Sequence, residues 1–284
     1  MSNEQKIQAY QTQMPGKYLR GVKNTIAIAS GKGGVGKSTV TVNLAAALLK
    51  TGARVGILDA DIYGPSMPMM LGACQAVTLS GEHYIPAQAH GIQAMSIGYL
   101  TKTDEQALLW RGPMLAKALL QMLDLTLWND LDFLLIDLPP GTGDIQLSLV
   151  QKIPLTAAIV VTTPQNIATL DAQKALQLFA QTHIDVLGII ENMATHICTA
   201  CGHEDSIFGS GGADKIAKQF EIPLLGRLPL DSTIRECGDR GIPIALIEES
   251  PVAENWISIA QTMRGFLAKK RISYANKFPP IVSD

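Results

Sequence analysis

Gly31-Lys32-Gly33-Gly34-Val35-Gly36-Lys37-Ser38 fits the pattern G-x-x-x-x-G-K-S/T, which a chain of this length matches by chance on the order of one time in a hundred. Glycines let consecutive N–H groups turn inward around phosphate oxygens, and the dipole of a following helix adds to the attraction. Lys37 then neutralises β/γ charge, Ser38 can ligate Mg2+, and Thr39 supports the loop. The chemistry implied is binding and hydrolysis of ATP. Transfer of a phosphoryl group to water needs one group in the Mg2+ shell and another to orient the water. Asp137 closes the apolar run Phe133-Leu134-Leu135-Ile136 and is read as the magnesium-shell carboxylate, while Asp59 and Asp61 follow the apolar Ile57-Leu58. Asp59 serves equally well as a turn carboxylate. A second constellation is Cys198-Thr199-Ala200-Cys201. At this spacing two thiolates converge on one metal or form a redox pair. A redox pair of the thioredoxin kind belongs at a helix start after an early strand, whereas this one falls in a late loop, so the metal reading leads.

These residues need elements to position them. Ile26-Ala27-Ile28-Ala29 is a short apolar run entering the glycines and predicts a buried strand; Thr39 to Lys50 follows as an apolar helix closed at Gly52. The alternation continues through strands at Val55–Leu58, Phe133–Ile136, Ala157–Thr162, Val186–Ile190 and Leu224–Leu228. Helices are expected at Met114–Trp128, Ile145–Gln151, Leu170–Gln181, Ala213–Phe220 and Val252–Leu267. Apolar strands alternating with helices imply an α/β fold with a mostly parallel central sheet covered on both faces. Val77 to Leu100 reads as a small insertion of one or two edge strands. Residues 1–23 are expected to form a mobile N-terminal arm, 24–268 a single ATPase domain carrying the cysteine loop at 192–212, and 269–284 a C-terminal tail.

At 284 residues and 47% hydrophobic, the chain can bury a sizeable core. A net charge of −2 leaves no basic field to hold nucleic acid or an anionic bilayer, so neither partner is expected. Residues 1–23 lack the apolar stretch of a secretory signal, and a cytoplasmic location is expected. Four cysteines, at 74, 198, 201 and 237, do not make a disulfide framework in such a chain, and Cys74 and Cys237 read as small core residues.

The stretch GKGGVGKST resembles the deviant Walker A motif of the superclass that includes nitrogenase reductase, the arsenite pump and MinD/ParA, the SIMIBI-type P-loop NTPases. The resemblance implies a homodimer in which Lys32 reaches across to the partner's nucleotide. It also implies that Asp61, in the switch I segment Asp-Ile-Tyr-Gly-Pro-Ser, orients the attacking water, and that Asn192 reads the adenine edge. Pro139-Pro140-Gly141-Thr142-Gly143-Asp144 would be switch II.

One chain offers two close cysteines, whereas a tetrahedral sulfur site or a [4Fe–4S] cube wants four, and a twofold axis through the loop would supply them. The stretch Glu191-Asn192-Met193, then Cys198-x-x-Cys201-Gly202-His203, then Ile207-Phe208-Gly209 closely resembles the Mrp/NBP35 (ApbC-type) iron–sulfur cluster carriers. That resemblance runs from about Thr25 to Leu267. It implies ATP, Mg2+ and a [4Fe–4S] cluster, with apo iron–sulfur proteins and a cluster assembly scaffold as partners. His196 and His203 leave open a Cys2His2 zinc site. A rival of another class, a MinD/ParA-like positioning ATPase, would use a basic amphipathic C-terminal helix. Lys269-Lys270-Arg271 lacks the apolar stripe for that and reads as a solvated tail.

Overall fold

The computed structural model describes residues 7–72, 76–100, 112–198 and 200–273. Its centre is an eight-stranded sheet built from β1 (Val22–Ser30), β2 (Val55–Asp59), β5 (Ala87–Ala89), β6 (Ile92–Ser96), β7 (Leu131–Asp137), β8 (Ala157–Thr162), β9 (Val186–Glu191) and β12 (Leu224–Arg227). The order is β12-β9-β8-β1-β7-β2-β6-β5, and every neighbouring pair is parallel except β5 with β6. Two small hairpins complete the strands: β3 (Thr78–Ser80) with β4 (His83–Ile85), and β10 (His196–Ile197) with β11 (Glu204–Asp205).

Alternation along the strands divides the core in two. Ile26, Ile28, Phe133 and Leu135 point to one face, while Ala27, Ala29, Leu134 and Ile136 point to the other. The first face is covered by α1 (Lys37–Lys50) and α8 (Pro251–Leu267), with α2 (Met67–Leu71) and α7 (Ser232–Asp239) alongside. The second is covered by α3 (Gly112–Leu125), α4 (Asp144–Lys152), α5 (Asn166–Gln181) and α6 (Gly212–Gln219). Strands buried on both faces have to be apolar throughout, which is why they read as runs and not as alternations. Helix α1 is apolar on nearly every side because it lies between the sheet and α8. Among the described residues no helix is long and apolar enough to cross a membrane.

The structure departs from the expected boundaries in several places. The helix expected over Met114–Trp128 stops at Leu125, because Thr126 pairs with Tyr84 and the Leu127 amide donates to the Tyr84 carbonyl. Helices α2 and α7 went unread: five residues give too little periodicity, and Ser232–Asp239 carries a glycine and a cysteine among charges. The 77–100 insertion yields β5 and β6 on the sheet edge plus the β3–β4 hairpin, more strand than expected. Lastly, residues 7–14 of the expected mobile arm are tied down. Tyr10 pairs antiparallel with Ile272, the Gln11 amide donates to the Arg271 carbonyl, and the Gln13 carboxamide donates to the carbonyls of Val150 and Ile153. The described part of the tail is held by the same pairing, and Lys270 forms an ion pair with Asp185. Strand β1 also starts at Val22, inside the arm boundary at 23.

Candidate functional site

The carboxyl ends of β1, β7 and β2 converge, as expected of ligand sites in parallel sheets. From β1 the chain turns through Gly31–Gly36 into α1. Gly36 holds φ +80°, and a Cβ there would collide with the Asn192 carboxamide, so the turn requires glycine. A side chain on Gly31 would strike the backbone of α5 at Asp171. Helix α1 has no side-chain cap and no acidic residue in its first turn, so its first N–H groups and its positive dipole end are left for an anion.

Lys37 is 6% exposed, and its ammonium lies 2.8 Å from Asp137 Oδ2 and 3.9 Å from Asp61 Oδ2. Asp137 is fully buried. Its Oδ2 accepts from the Ser38 hydroxyl at 2.6 Å, and its Oδ1 from the Thr41 hydroxyl at 2.6 Å. Ser38 and Asp137 thus present adjoining hard oxygens of the kind Mg2+ takes together with phosphate oxygens, and the donor set fits that ion. Bound there, Mg2+ would neutralise phosphate charge. Thr41 was missed by the motif because it lies one helical turn beyond it, and a threonine in an apolar helix carries no signal until Asp137 is placed beside it.

Asp59 works differently from its neighbours. Its Oδ1 accepts from the Asp61 amide at 3.1 Å, and its Oδ2 from the Ser96 hydroxyl at 2.9 Å and the Met67 amide at 3.4 Å. It holds both ends of the Asp61–Ser66 segment, the turn role. Burial, and second the Asp137 charge, push its carboxyl well above the usual carboxylate range. Burial also raises Asp61, against the Lys37 ammonium. The folded chain therefore retains a proton on Asp59 that the unfolded chain releases, so stability falls as pH rises from the ordinary carboxylate range toward neutrality. In Asp59→Asn, a mimic of the protonated acid, thermal melts of the nucleotide-free protein will fall less across that window than in the wild type. Parallel slopes would contradict the buried-acid assignment.

Lys32 is half-buried, and among the described residues its ammonium has no carboxylate partner. Asn192, buried after β9, donates from Nδ2 to the Val35 carbonyl at 2.9 Å and so braces the phosphate loop. Beside it opens a cleft of about 270 Å³ lined by Gly36, Thr39, Asn192, Met193, Leu230 and Arg235, among others. The structure thus brings Gly31–Thr39, Asp61, Asp137 and Asn192 to one place.

The cysteines stand on the β10–β11 hairpin. Cys198 and Cys201 are free thiols, the first half-buried and the second exposed. The Cys198 amide donates to the His203 carbonyl at 2.9 Å, and the Gly202 amide to the Cys198 carbonyl at 2.8 Å, closing the loop. The amides of Cys201 and Ala200 hold the Cys198 thiol below its ordinary range, which favours the thiolate a metal takes. Among the described residues no three metal-ligating side chains converge, so neither His196 nor His203 completes a site with the pair. Cys237 is buried, as expected; Cys74 lies outside the described residues. Sequence reading missed the base of this loop: Glu191, 1% exposed, accepts from the Ala213 amide at 2.9 Å and pairs with Arg227 at 3.0 Å, joining the two ends of the 192–212 segment.

Comparison with known proteins agrees with this architecture. Residues 21–264 match the family described as ParA: NUBPL iron-transfer P-loop NTPase. The iron-sulfur cluster carrier protein of Escherichia coli is 56% identical over 230 residues, which is 80% of this chain and 62% of the relative, so the chain spans somewhat under two thirds of that protein. The iron-sulfur cluster carrier protein of Pseudomonas fragi is 51% identical over 256 residues, 89% of this chain and 88% of its own. A nucleotide-binding protein from Archaeoglobus fulgidus, solved in complex with ADP, is similar with a TM-score of 0.71 and 38% identity over 83% of this chain and 91% of that one. Phosphate loop, sheet order and cysteine hairpin stand together over the same span, and the chain belongs to the NUBPL iron-transfer P-loop NTPase family.

Proposed function

We propose that the chain binds ATP with Mg2+, hydrolyses it to ADP and phosphate, and as a cytoplasmic homodimer holds a [4Fe–4S] cluster that it receives from an assembly scaffold and passes to apo iron–sulfur proteins. The observation that carries this is a pair of free thiols on a hairpin that follows Met193, a residue lining the cleft beside the phosphate loop, with no group of three metal-ligating side chains among the described residues. Four-sulfur coordination then comes from two copies. Exposed Ile197 and Ile207 flank the thiols, as suits a face that another copy covers. The relatives named iron-sulfur cluster carrier proteins and the ADP-bound neighbour support both halves of the reading.

In this reading Gly31 to Ser38 wrap the phosphates, Lys37 neutralises the developing charge, Ser38 and Asp137 hold Mg2+, and Asp61 orients the attacking water. Lys32, whose ammonium has no carboxylate partner among the described residues, serves the partner's nucleotide. Asn192 spends Nδ2 on Val35 and offers Oδ1 to the adenine amino group. Anaerobic reconstitution with iron and sulfide tests the proposal. It should give a coloured dimer with about four irons per two chains. A colourless protein carrying one zinc per chain would sink it, and a chain that remains monomeric with ATP and metal supplied would remove the shared site.

A further inference from the structure

The cysteine hairpin follows directly on one segment that lines the cleft beside the phosphate loop and is held by a second. Met193 and Leu230 both line the cleft next to Gly36 and Thr39. Just beyond them the segments are stitched together: the Ala194 amide donates to the Leu228 carbonyl at 2.9 Å, and the Leu230 amide to the Thr195 carbonyl at 2.7 Å. His196, the first residue of β10, adds a side-chain tether, its Nδ1 lying 3.0 Å from the Leu230 carbonyl. A carbonyl oxygen only accepts, so the imidazole proton sits on Nδ1. Leu230 therefore lines the cleft with one part of itself and grips the hairpin with another. The hairpin needs such a grip, because β10 and β11 contribute only two residue pairs and a ladder that short does not hold its own orientation.

We propose that His196 is a positioning residue that reports occupancy of the base side of the nucleotide cleft to the Cys198–Cys201 hairpin, with Leu230 as the shared element. A nucleoside base resting against Leu230 restrains the strand that carries the tether, and the restraint passes to His196 and on to Cys198, two residues further. Inorganic pyrophosphate fills the phosphate loop without reaching Leu230 and transmits nothing by this route. Coupling is reciprocal, so a metal group on the thiols changes ADP affinity by the factor with which ADP changes the hold on that group. This inference rests on the nucleotide half of the proposed function and not on the identity of the metal.

Amide hydrogen exchange over residues 195–204 of the whole metal-free chain tests it, with ADP–Mg2+ and pyrophosphate–Mg2+ each at saturation as shown by displacement of a fluorescent ADP. In the wild type ADP is expected to slow exchange there by on the order of fivefold, the factor one net hydrogen bond carries, and pyrophosphate is expected to leave it unchanged. His196→Ala and His196→Gln lose the ADP effect at unchanged ADP affinity. His196→Asn, whose amide nitrogen occupies the place of Nδ1, retains it. Equal protection by pyrophosphate and ADP would overturn the route, and so would full ADP protection in His196→Ala. If His196→Ala loses protection in β1 as well, His196→Gln and the wild-type comparison decide. Failure of the wild type to bind ADP would instead strike at the nucleotide reading, and failure of iron uptake leaves this measurement standing.

Discussion

Replacing Cys198 and Cys201 together by alanine is expected to remove essentially all iron and sulfide from the reconstituted protein while ATP affinity stays within about twofold of the metal-free wild type. The size of the effect follows from the ligand count. If each copy provides two of four sulfurs, the double variant takes all four from the dimer, and among the described residues no group of three His, Cys, Asp or Glu side chains offers another metal site. The separation from nucleotide binding follows from geometry, since the phosphate loop is braced by Asn192 on Val35 and by the Gly36 turn, contacts that involve neither thiol. Fold is not at risk, because Cys201 is exposed and Cys198 only half-buried, so little apolar burial is lost. Iron and sulfide analysis beside a nucleotide titration checks both halves. Wild-type iron uptake by the double variant would show that the ligands lie elsewhere.

Lys37→Ala is expected to lower kcat/KM for ATP by on the order of a thousandfold, the scale of losing one preorganised charge aimed at the transferring phosphoryl group. Lys37→Arg should rescue little. The ammonium occupies a slot between the fully buried Asp137 and Asp61, and a guanidinium is too wide to present a single point charge there. The alanine variant also leaves Asp137 without its cationic partner, although the Ser38 and Thr41 hydroxyls still satisfy it. Steady-state phosphate release gives the rate, and a melt of the nucleotide-free protein shows whether the fold survived. A rate within tenfold of the wild type would mean that this lysine does not face the phosphates.

The fold class was legible because parallel strands buried on both faces must be apolar runs, and such runs separated by helices leave one economical arrangement. Strand positions agree to within a few residues for β2, β7, β8 and β9. Some elements escaped because a neighbour imposes their boundaries: α3 ends at the Tyr84 bridge, and residues 7–14 are held by Ile272, Arg271, Val150 and Ile153, more than a hundred residues away, together with Asn24. Local patterning carries no record of such pairings.

The chemistry divides in the same way. Read alone, the order of amino acids determined the phosphate loop and the thiol pair, because each is a group of side chains within a few residues of one another, and it marked Asp59, Asp61 and Asp137 because each follows an apolar strand run. The folded chain decided what surrounds them: Thr41 and Ser38 on Asp137, Ser96 on Asp59, Glu191 across the base of the cysteine loop, and Leu230 joined at once to the cleft beside Gly36 and to His196. Those partners are ordinary polar or apolar residues from distant segments, and they acquire roles only when packing sets them within hydrogen-bond reach of a group that must be held.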